Sequence, residues 1–404
     1  MQSYVDSLLN DEIQEFILLN EGADVHKLLL KHKEVRGVPM EWIANQIAGR
    51  KKTKLKLANW YSTNGIIYPP SLNLEQSSSD ATAKLKLLLL QGLIADEEQV
   101  IRAVDLTGGF GVDTYSLSRR AQHIDYVEPD TELYEITKHN HKILKGLNIT
   151  HYNAAAEDYV ETLEENVDLF FIDPSRRKGT KKIFKLGDCE PNVVEMFEDL
   201  LRKGNYVLIK TSPLLDIQQG LRELKHVLQV IVVAVENECK ELLFLLKRDF
   251  NEEPAIRVVE LNRYGEIVTD ATFSIEEEKT SKVTFSKPLT FLYEPSAAVL
   301  KAGAFKWIGE KYNIKKVAAS SHLYTSDDAV DFPGKMFKVI EHVKLDKKLV
   351  DKFPNGYSNI LIRNYPMTVE EVKTKTGLKE GGEQFLICTQ TDKEKFVMIA
   401  ERVK

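Results

Sequence analysis

The spacing of apolar and polar residues changes twice along the chain. Up to about residue 95 the apolar residues recur at helical spacing, as in DVHKLLLKHKEV and MEWIANQIAGRKKTKLKLANW, which predicts an N-terminal helical domain over 1–95. A break at Tyr68-Pro69-Pro70 precedes a Ser/Asp-rich stretch that begins another helix. The first twenty residues place apolar residues among acidic ones at helical spacing, so we interpret them as an amphipathic helix and not as a signal peptide.

Over residues 96–250 short apolar runs alternate with helical stretches. The candidate strands are IRAVDL, HIDYVEP, ITHYNA, VDLFFIDP, NYVLIKTS, QVIVVAVEN and ELLFLLKRD. Apolar strands that alternate with helices are typical of a parallel sheet covered on both faces. The last two strands are separated by a short turn, which predicts an antiparallel hairpin at one edge of the sheet. The sequence therefore predicts an α/β domain here.

Beyond residue 250 the pattern is that of small α+β modules. RVVELNRYGEIVTDATFS is β-like with a turn at Tyr264-Gly265, and SAAVLKAGAFKWIGEKY reads as one helix. A strand-helix-strand tail follows. We expect two modules, over 251–328 and 329–404.

Composition narrows the class of protein. The chain has 404 residues, which is too many for one ordinary core, and it is 43% hydrophobic and 29% charged. It contains no uncharged apolar run of about 18 residues. Its three cysteines are far apart, which argues against a disulfide framework and a zinc cluster. We expect a reduced, cytoplasmic protein without membrane association or bound metal; His139 and His141 have a spacing that points them to different helix faces.

The charge distribution gives only a weak indication of a polyanionic partner. The net charge of −6 does not favour nucleic acid, but a polyanion responds to local patches. Two basic stretches stand out, RKKTKLK at 50–56 and RRKGTKKIFK at 176–185. We interpret the first as a solvated helix face. The second stretch, 176–185, is of interest because of the residues that directly precede it.

A glycine-rich turn, DLTGGFGVD at 105–113, follows the first candidate strand. Ligands of open α/β sheets bind at the carboxyl ends of strands, where such turns let backbone amides approach closely. Residues Gly109–Thr114 partly match the G-x-G-x-x-G fingerprint of dinucleotide-binding proteins, but the third glycine is missing. Asp105 would also repel a pyrophosphate. A carboxylate here favours a cationic ligand, such as the ammonium and sulfonium groups of S-adenosylmethionine (SAM).

These residues resemble the first motif of class I SAM-dependent methyltransferases, and the resemblance extends over about residues 100–250. It implies that the methionine part of SAM is surrounded by Asp105, Thr107, Gly108, Gly109 and Gly111. Glu128, at the end of the second strand, matches the acid that binds the ribose hydroxyls; NAD enzymes use an acid at the same place, so Glu128 alone does not discriminate. The third family acid, which holds adenine, does not align cleanly, and Glu157 and Asp158 are the nearest candidates. Ordinary strand-end polarity is the alternative interpretation of Asp105 and Glu128.

The end of the fourth strand, DPSRR, resembles the D-P-P-[YFWR] motif of methyltransferases that act on nucleic-acid bases. The resemblance makes Asp173, Pro174, Ser175 and Arg176 the candidate catalytic residues, with Asp173 accepting hydrogen bonds from an exocyclic amine that is held in line with the methyl group. Ser175 and Arg176 depart from the motif, although a guanidinium can stack on a base. The alternative is a strand-end turn followed by a solvated basic loop.

The ends of the fourth and fifth strands contain no cysteine nucleophile, so we expect methylation of nitrogen and not of pyrimidine C5. Cys189 is interpreted as a small apolar filler. Arg177, Lys178, Lys210 and Ser212 are the candidate substrate-binding residues, with Thr211 and Asp216 nearby.

A closer resemblance covers nearly the whole chain. The phrases SLNLEQSSSDATAKLK, DLTGGFGVDTYSLS, DPSRR, IKTSPLLD and LYEPSAAVLKAGAF are together similar to bacterial proteins with a class I methyltransferase domain, a ferredoxin-like segment and a C-terminal THUMP-like domain. This resemblance implies a Rossmann-like α/β sheet with an N-terminal helical domain and small C-terminal α+β modules, with SAM as cofactor and an RNA, tRNA or rRNA, as substrate. It also makes Gln76, Ser79 and Thr82 candidates for covering the cofactor, although helix capping explains them equally well.

Three alternative functions stay open at this point. The first is a small-molecule or protein methyltransferase on the same fold, and the second is a non-catalytic RNA-binding protein that keeps the fold as a scaffold. The third and most distant is a NAD oxidoreductase.

Overall fold

The structure is a computed structural model that describes residues 2–93, 101–164, 166–175, 177–178, 181–182 and 185–403. For residues 2–3, 177–178 and 181–182 it describes the backbone alone. The candidate catalytic residue Arg176 lies outside the described residues, and so does the predicted domain boundary at 95–96.

The chain forms two compact units. The first comprises Met1–Val230, Glu241–Glu252 and Leu261–Glu266, and the second comprises Ile231–Lys240, Glu253–Glu260 and Ile267–Lys404. The division into four domains at 1–95, 96–250, 251–328 and 329–404 stays a prediction.

The N-terminal part of the first unit is helical, as the apolar spacing predicts. Its helices are α1 (Gln2–Leu8), α2 (Asp11–Leu19), α3 (Val25–Lys31), α4 (Met40–Lys56), α5 (Ala58–Ser62), α6 (Ser71–Gln76) and α7 (Asp80–Leu93). Two short strands, β1 (Glu34–Val35) and β2 (Val38–Pro39), interrupt them as an antiparallel pair. The sequence interpretation as helix alone is wrong here, because Arg36 and Gly37 both adopt positive φ, 54° and 80°, the conformation of a tight hairpin turn.

An aromatic and aliphatic core joins these helices to the glycine-rich turn. Trp60 of α5 is buried, and its ring lies 4.7 Å from that of Phe110. The same cluster of buried side chains contains Ile43 and Ile47 of α4, together with Ile136. The helical region is thus packed directly on the turn that follows the first long strand.

The α/β part of the first unit follows the predicted alternation. Its elements are β3 (Arg102–Asp105), α8 (Val112–Ser118), β4 (His123–Val127), α9 (Thr131–Ile143), β5 (Ile149–Tyr152), α10 (Ala156–Thr162), β6 (Val167–Ile172), β7 (Arg177–Lys178), β8 (Lys181–Lys182), α11 (Val193–Lys203), β9 (Gly204–Thr211), α12 (Ile217–Glu223), and the parts Val227–Val230 of β10 (Val227–Val235) and Glu241–Lys247 of β11 (Glu238–Lys247). A 3₁₀ turn spans Leu186–Asp188.

The sheet of this unit runs in the order β11-β9-β6-β3-β4-β5. Strands β9, β6, β3, β4 and β5 are parallel neighbours, and β11 is antiparallel to β9. The carboxyl ends of β3, β4 and β6 therefore meet at one edge of the sheet. The predicted Rossmann-like α/β fold is confirmed.

The second unit contains the remaining elements. They are β12 (Ala255–Leu261), β13 (Ile267–Ser274), α13 (Ile275–Thr280), β14 (Phe291–Pro295), α14 (Ala297–Ala302), α15 (Trp307–Lys311), β15 (Lys315–Lys316), β16 (Tyr324–Ser326), β17 (Gly334–His342), β18 (Tyr357–Ile362), α16 (Val369–Thr376), β19 (Lys379–Gln390) and β20 (Lys395–Arg402), with 3₁₀ turns at Lys347–Lys352 and Pro354–Gly356. A seven-stranded sheet has the order β15-β16-β14-β17-β20-β19-β18.

Two predicted details are wrong. The hairpin of β10 and β11 turns at Glu236 and Asn237, both with positive φ, but β12 and β13 follow β10 in its sheet, so the hairpin is not at an edge. The single helix predicted from SAAVLKAGAFKWIGEKY is two helices, α14 and α15. Gly303 ends α14 with φ 76°, a left-handed conformation that glycine adopts without steric cost.

Candidate functional site

Asp105 closes β3 with a fully buried carboxylate. Its Oδ1 accepts the backbone N–H of Thr107 (3.1 Å), and its Oδ2 accepts the hydroxyl of Thr114 (2.6 Å). Burial raises its pKa to about 7, and the nearby carboxylates of Asp113 and Asp173 act in the same direction, while the two hydrogen bonds oppose them. This carboxyl group therefore titrates near neutral pH when no cation faces it.

Gly108 and Gly111 are required by the close packing behind the turn. A Cβ on Gly108 would lie 2.1 Å from the ring of Tyr126, and one on Gly111 would lie 2.4 Å from Nε2 of His141. Gly111 also has φ 78°, where it begins α8. Gly109, with φ 53°, would meet only a backbone oxygen at 3.7 Å.

A pair of neutral histidines fixes the back of the turn. Nε2 of His141 donates to the carbonyl of Gly111 (2.9 Å), and its Nδ1 accepts from Nε2 of His151 (2.9 Å). Burial lowers the pKa of His141 to about 3 and that of His151 to about 4. His139 contacts the carbonyl of Gly65 instead (2.8 Å). The two histidines of KHNHK thus face different partners, as their spacing predicts.

Glu128 follows β4 and lies against the same turn. Its Oε2 accepts the backbone N–H of Gly109 (2.9 Å), and its Oε1 accepts that of Asp130 (2.9 Å). Burial raises its pKa above the ordinary value of 4.5. Because a carboxylate has about four acceptor positions, each oxygen keeps one for a further donor. A diol is one ligand that matches two adjacent acceptors.

Asp173 follows β6 and is tied to the first motif. Its backbone N–H donates to the hydroxyl oxygen of Thr107 (2.6 Å), and its Oδ2 is paired with the ammonium of Lys210 at the end of β9. The Asp173 side chain is 34% exposed, whereas that of Lys210 is 10% exposed. Burial opposes the charge of Lys210, but the attraction of Asp173, Asp113 and Glu241 outweighs it and raises the pKa of Lys210.

A buried ionic cluster lies beside these residues, and the sequence analysis missed it. Nζ of Lys86 contacts Oε1 of Glu241 (2.9 Å), Oδ1 of Asp113 (3.2 Å) and the hydroxyl of Ser78 (3.1 Å). Ser78 in turn donates to Oδ2 of Asp113 (2.7 Å). The signal was present in the sequence, since Lys86 and Glu241 are charged residues inside the apolar runs KLKLLLL and ELLFLL.

Other predicted residues are exposed or make local hydrogen bonds. Ser79 and Thr82 cap α7 reciprocally: the hydroxyl of Ser79 accepts the N–H of Thr82 (3.3 Å), and that of Thr82 accepts the N–H of Ser79 (3.1 Å). Gln76 ends α6 with an exposed side chain, and Glu157 and Asp158 are exposed in the first turn of α10.

The segment after Asp173 is held by its backbone. Ser175 exchanges two hydrogen bonds with Glu190, N–H to O at 2.7 Å and 3.0 Å, and Pro174 is buried. The backbones of Arg177 and Lys178 form β7. The hydroxyl of Ser212 accepts the N–H of Leu214 (3.1 Å). Cys189 is buried, which fits its interpretation as a filler.

Several residues of the first basic stretch, 50–56, make contacts within the protein. Arg50 pairs with Glu21 (3.3 Å) and Lys52 pairs with Glu75. Nζ of Lys56 donates to the carbonyls of Leu74 (2.7 Å) and Glu75 (3.1 Å) at the end of α6. Burial lowers the pKa of Lys56 to about 8. Arg50 and Lys56 are thus held by contacts within the protein, whereas Lys51, Lys52 and Lys54 are exposed on α4, as expected for a solvated helix face.

Two kinds of feature are absent from the described part of the chain. No helix there has both the length and the apolar character to cross a membrane. No group of three or more histidine, cysteine, aspartate or glutamate side chains is arranged to hold a metal ion in the same residues.

Comparison with known proteins gives the family of the C-terminal part and the fold of the whole. Residues 291–333 match the family described as a ferredoxin-like domain, and residues 334–402 match the family described as THUMP domain-like. A solved structure named "putative methyltransferase from Porphyromonas gingivalis W83" is 27% identical, with 97% of this chain and 98% of that chain aligned and a TM-score of 0.84. The chain has a methyltransferase fold with a THUMP-like domain. The resemblance found in the sequence is confirmed.

Other solved structures match a smaller part of the chain. One is an rRNA methylase from Streptococcus thermophilus, at 14% identity, 41% and 94% coverage of the two chains and a TM-score of 0.31. Another is a methyltransferase-like protein of Streptococcus mutans, SMU.1697c, solved with S-adenosylhomocysteine, at 12% identity, 41% and 96% coverage and a TM-score of 0.32. No curated protein matches the chain.

Proposed function

We propose that this protein is a SAM-dependent methyltransferase that modifies a nitrogen atom of a base in RNA, either tRNA or rRNA. The observation that carries the proposal is the meeting of three acids at one edge of the sheet. Asp105 ends β3, Glu128 and Asp173 follow β4 and β6, and Thr107 joins the first motif to Asp173 through a hydrogen bond of 2.6 Å. Cofactor and acceptor groups would thus be held side by side, where orientation lowers the barrier.

The residues present fit SAM. The buried carboxyl of Asp105, whose pKa is raised to about 7 chiefly by burial, suits the ammonium group of the methionine part, because a cation would favour its ionised form. Glu128 keeps acceptor positions for the ribose hydroxyls. The glycines at 108, 109 and 111 give the chain its close path between them. When bound, SAM supplies an electrophilic methyl group on a sulfonium.

Asp173 and Lys210 form a donor and acceptor pair for the substrate. The partly exposed carboxylate accepts an N–H of the base, and the charged ammonium beside it donates to a neighbouring ring nitrogen or carbonyl. A base edge that carries a donor next to an acceptor would satisfy both. Held in this way, the nitrogen keeps its lone pair free to face the methyl group.

An RNA substrate is proposed from the C-terminal domain. In residues 334–402 lysine and arginine outnumber aspartate and glutamate, 13 to 10, although the whole chain has a net charge of −6. Local positive charge is what a phosphate backbone responds to. Arg177 and Lys178, immediately after the catalytic motif, are the proposed contacts near the target base.

The test is transfer of labelled methyl from SAM to RNA from cells that lack this protein. We expect D173A to reduce methyl transfer at least a hundredfold, because it removes the hydrogen-bond acceptor for the base. K210M should reduce transfer about tenfold, because it removes the ammonium that pairs with Asp173. Both should keep affinity for S-adenosylhomocysteine, measured by calorimetry, within about threefold of the wild type. D188A, at an exposed position, is the matched control.

The alternatives give different results. If label appears in the protein or small-molecule fraction and none appears in RNA, the substrate is a protein or a small molecule and not RNA. No label in any fraction, together with no binding of S-adenosylhomocysteine at millimolar concentration, would overturn the enzymatic proposal. If D173A loses S-adenosylhomocysteine binding and methyl transfer to the same extent, Asp173 does not act on the substrate.

A further inference from the structure

Lys86 is a fully buried lysine outside the residues that the proposed function uses. It lies on α7, and its side chain has no exposed surface. Its ammonium contacts two carboxylates, Asp113 and Glu241, and one hydroxyl, that of Ser78. The ring of Phe171, two residues before Asp173, lies 5.9 Å from the same ammonium. The group is thus surrounded by partners on all sides.

These partners come from three separate segments of the first unit. Ser78 lies in the turn between α6 and α7, Asp113 lies in the first turn of α8, two residues after Gly111, and Glu241 lies on β11. Ser78 and Asp113 are also joined directly (2.7 Å). One ammonium therefore connects the SSSD turn, the start of the glycine-turn helix and the strand beside β9.

Stability alone does not account for such an arrangement. Removing three ionised groups from water costs several kcal/mol each, and an apolar cluster of the same volume is often as stable or more stable. The ammonium of Lys86 faces two carboxylates, which the ammonium of Lys210 also attracts, and the Asp105 carboxyl group is close enough to Asp113 for their charges to repel. The cluster therefore fixes a geometry at a cost to stability, as buried polar networks can do.

We propose that Lys86 is a positioning residue for the cofactor site: by pairing with Asp113, Ser78 and Glu241 it fixes the turn at 77–79 against the start of α8, and so sets the affinity for SAM. This inference rests on the proposed function. Without the ammonium, Asp113 and Glu241 are two buried like charges that repel each other. The Lys86 ammonium then no longer stabilises the Ser78–Asp113 contact or the path of the chain after Gly111.

The experiment uses the full-length protein and two substitutions of Lys86. K86M removes the charge and keeps the length of the side chain. K86M/E241Q also removes the carboxylate that K86M leaves unpaired, so it should recover most of the thermal stability that K86M loses. K84M is the matched control, because Lys84 is exposed two residues earlier on the same helix. Affinity for S-adenosylhomocysteine is measured by calorimetry, together with KM for SAM, kcat and Tm.

We expect K86M/E241Q to bind S-adenosylhomocysteine at least tenfold more weakly than the wild type, and to raise KM for SAM by a similar factor while kcat changes less than threefold. K84M should match the wild type. A merely structural role predicts otherwise: affinity would recover together with Tm in K86M/E241Q, and that result would overturn the proposal. Wild-type protein that binds no S-adenosylhomocysteine would contradict the proposed function instead, so the two failures are distinguishable.

Discussion

The carboxyl group of Asp105 links cofactor binding to pH. Its pKa of about 7 in the structure results from burial and from the nearby Asp113 and Asp173. An approaching cation favours the ionised form, so the cation binds more tightly once the proton has left. Affinity for a ligand with an ammonium at this place must therefore rise as pH rises through about 7, and binding must release a proton below that pH.

The corresponding prediction concerns D105N. We expect the affinity of the wild type for SAM to fall by up to about tenfold per pH unit as pH decreases below about 7. D105N should bind more weakly at pH 8 and show less dependence on pH. Calorimetry between pH 5.5 and 8 in buffers of different ionisation enthalpy measures both affinity and proton release.

Comparison with the wild type removes the ligand's own contribution, because titration of the ligand amine is common to both proteins. D199N, at an exposed position on α11, is a second control. The same pH slope in the wild type and D105N would show that Asp105 does not face the cation.

Single residues differ in how far a sequence reveals them. The positions of Asp105, Glu128 and Asp173 are predictable because Asp105 ends an apolar strand and the other two directly follow one, and parallel strands bring their carboxyl ends together. Lys86 and Glu241 are far apart in sequence, and their pairing depends on how α7 packs on β11. The apolar context shows that each is buried, but it does not identify the partner. Lys210 is predicted as a substrate residue, but its ion pair with Asp173 is visible only in the structure.

At the scale of elements, the glycine turn depends on the helix behind it. A Cβ at position 111 would lie 2.4 Å from both His141 and Thr137 of α9, and the residue has φ 78°. Both features act against any side chain there. The turn therefore keeps its path only while α9 and its His141 to Gly111 hydrogen bond stay in place.

G111A is the prediction that follows. We expect it to destabilise the first unit by about 3 kcal/mol, from left-handed strain and overpacking together, and to weaken binding of S-adenosylhomocysteine. G92A is the matched control: beyond its chain neighbours and the backbone of α7, a methyl group on Gly92 would meet no atom of the described residues within 4 Å, so alanine there should be neutral or slightly stabilising. Urea unfolding followed by circular dichroism compares the two, and equal midpoints would contradict the packing argument.

Elements with strong periodicity were predictable, and their interruptions were not. The strands from IRAVDL to ELLFLLKRD appear where the apolar runs are, because burial on both faces requires such runs. The β1–β2 pair and the break between α14 and α15 depend on positive φ at Gly37 and Gly303. Helices often tolerate a glycine, so a glycine within a helical sequence pattern does not by itself identify a reversal of the chain. The position of β12 beside β10 depends on tertiary structure, so the local sequence pattern does not predict it.

For the molecule as a whole, the distribution of charge matters more than its total. The THUMP-like domain carries Lys344, Lys347 and Lys348 within five residues, all exposed, and the last two begin the 3₁₀ turn Lys347–Lys352. Elsewhere in that domain Lys393 and Lys395 are also exposed, but they alternate with Asp392 and Glu394. One acidic residue, Asp346, lies among the three lysines of the first group, whereas two acidic residues accompany the two lysines of the second, so the first group keeps the larger excess of positive charge. If RNA contacts this domain, the first group is the stronger phosphate site.

The prediction compares the triple variant K344Q/K347Q/K348Q with K393Q/K395Q. We expect the triple variant to weaken RNA binding at low salt, and the slope of log K against log salt concentration to decrease by about 0.7 for each lysine–phosphate interaction that the substitutions remove. K393Q/K395Q should change the slope less. Neither set alters the methyltransferase fold of the first unit, so affinity for S-adenosylhomocysteine serves as the internal control. Filter binding of the purified target RNA over a range of salt concentrations measures the slopes, and an unchanged slope in the triple variant would place the phosphate contacts on other basic residues, such as Arg177 and Lys178.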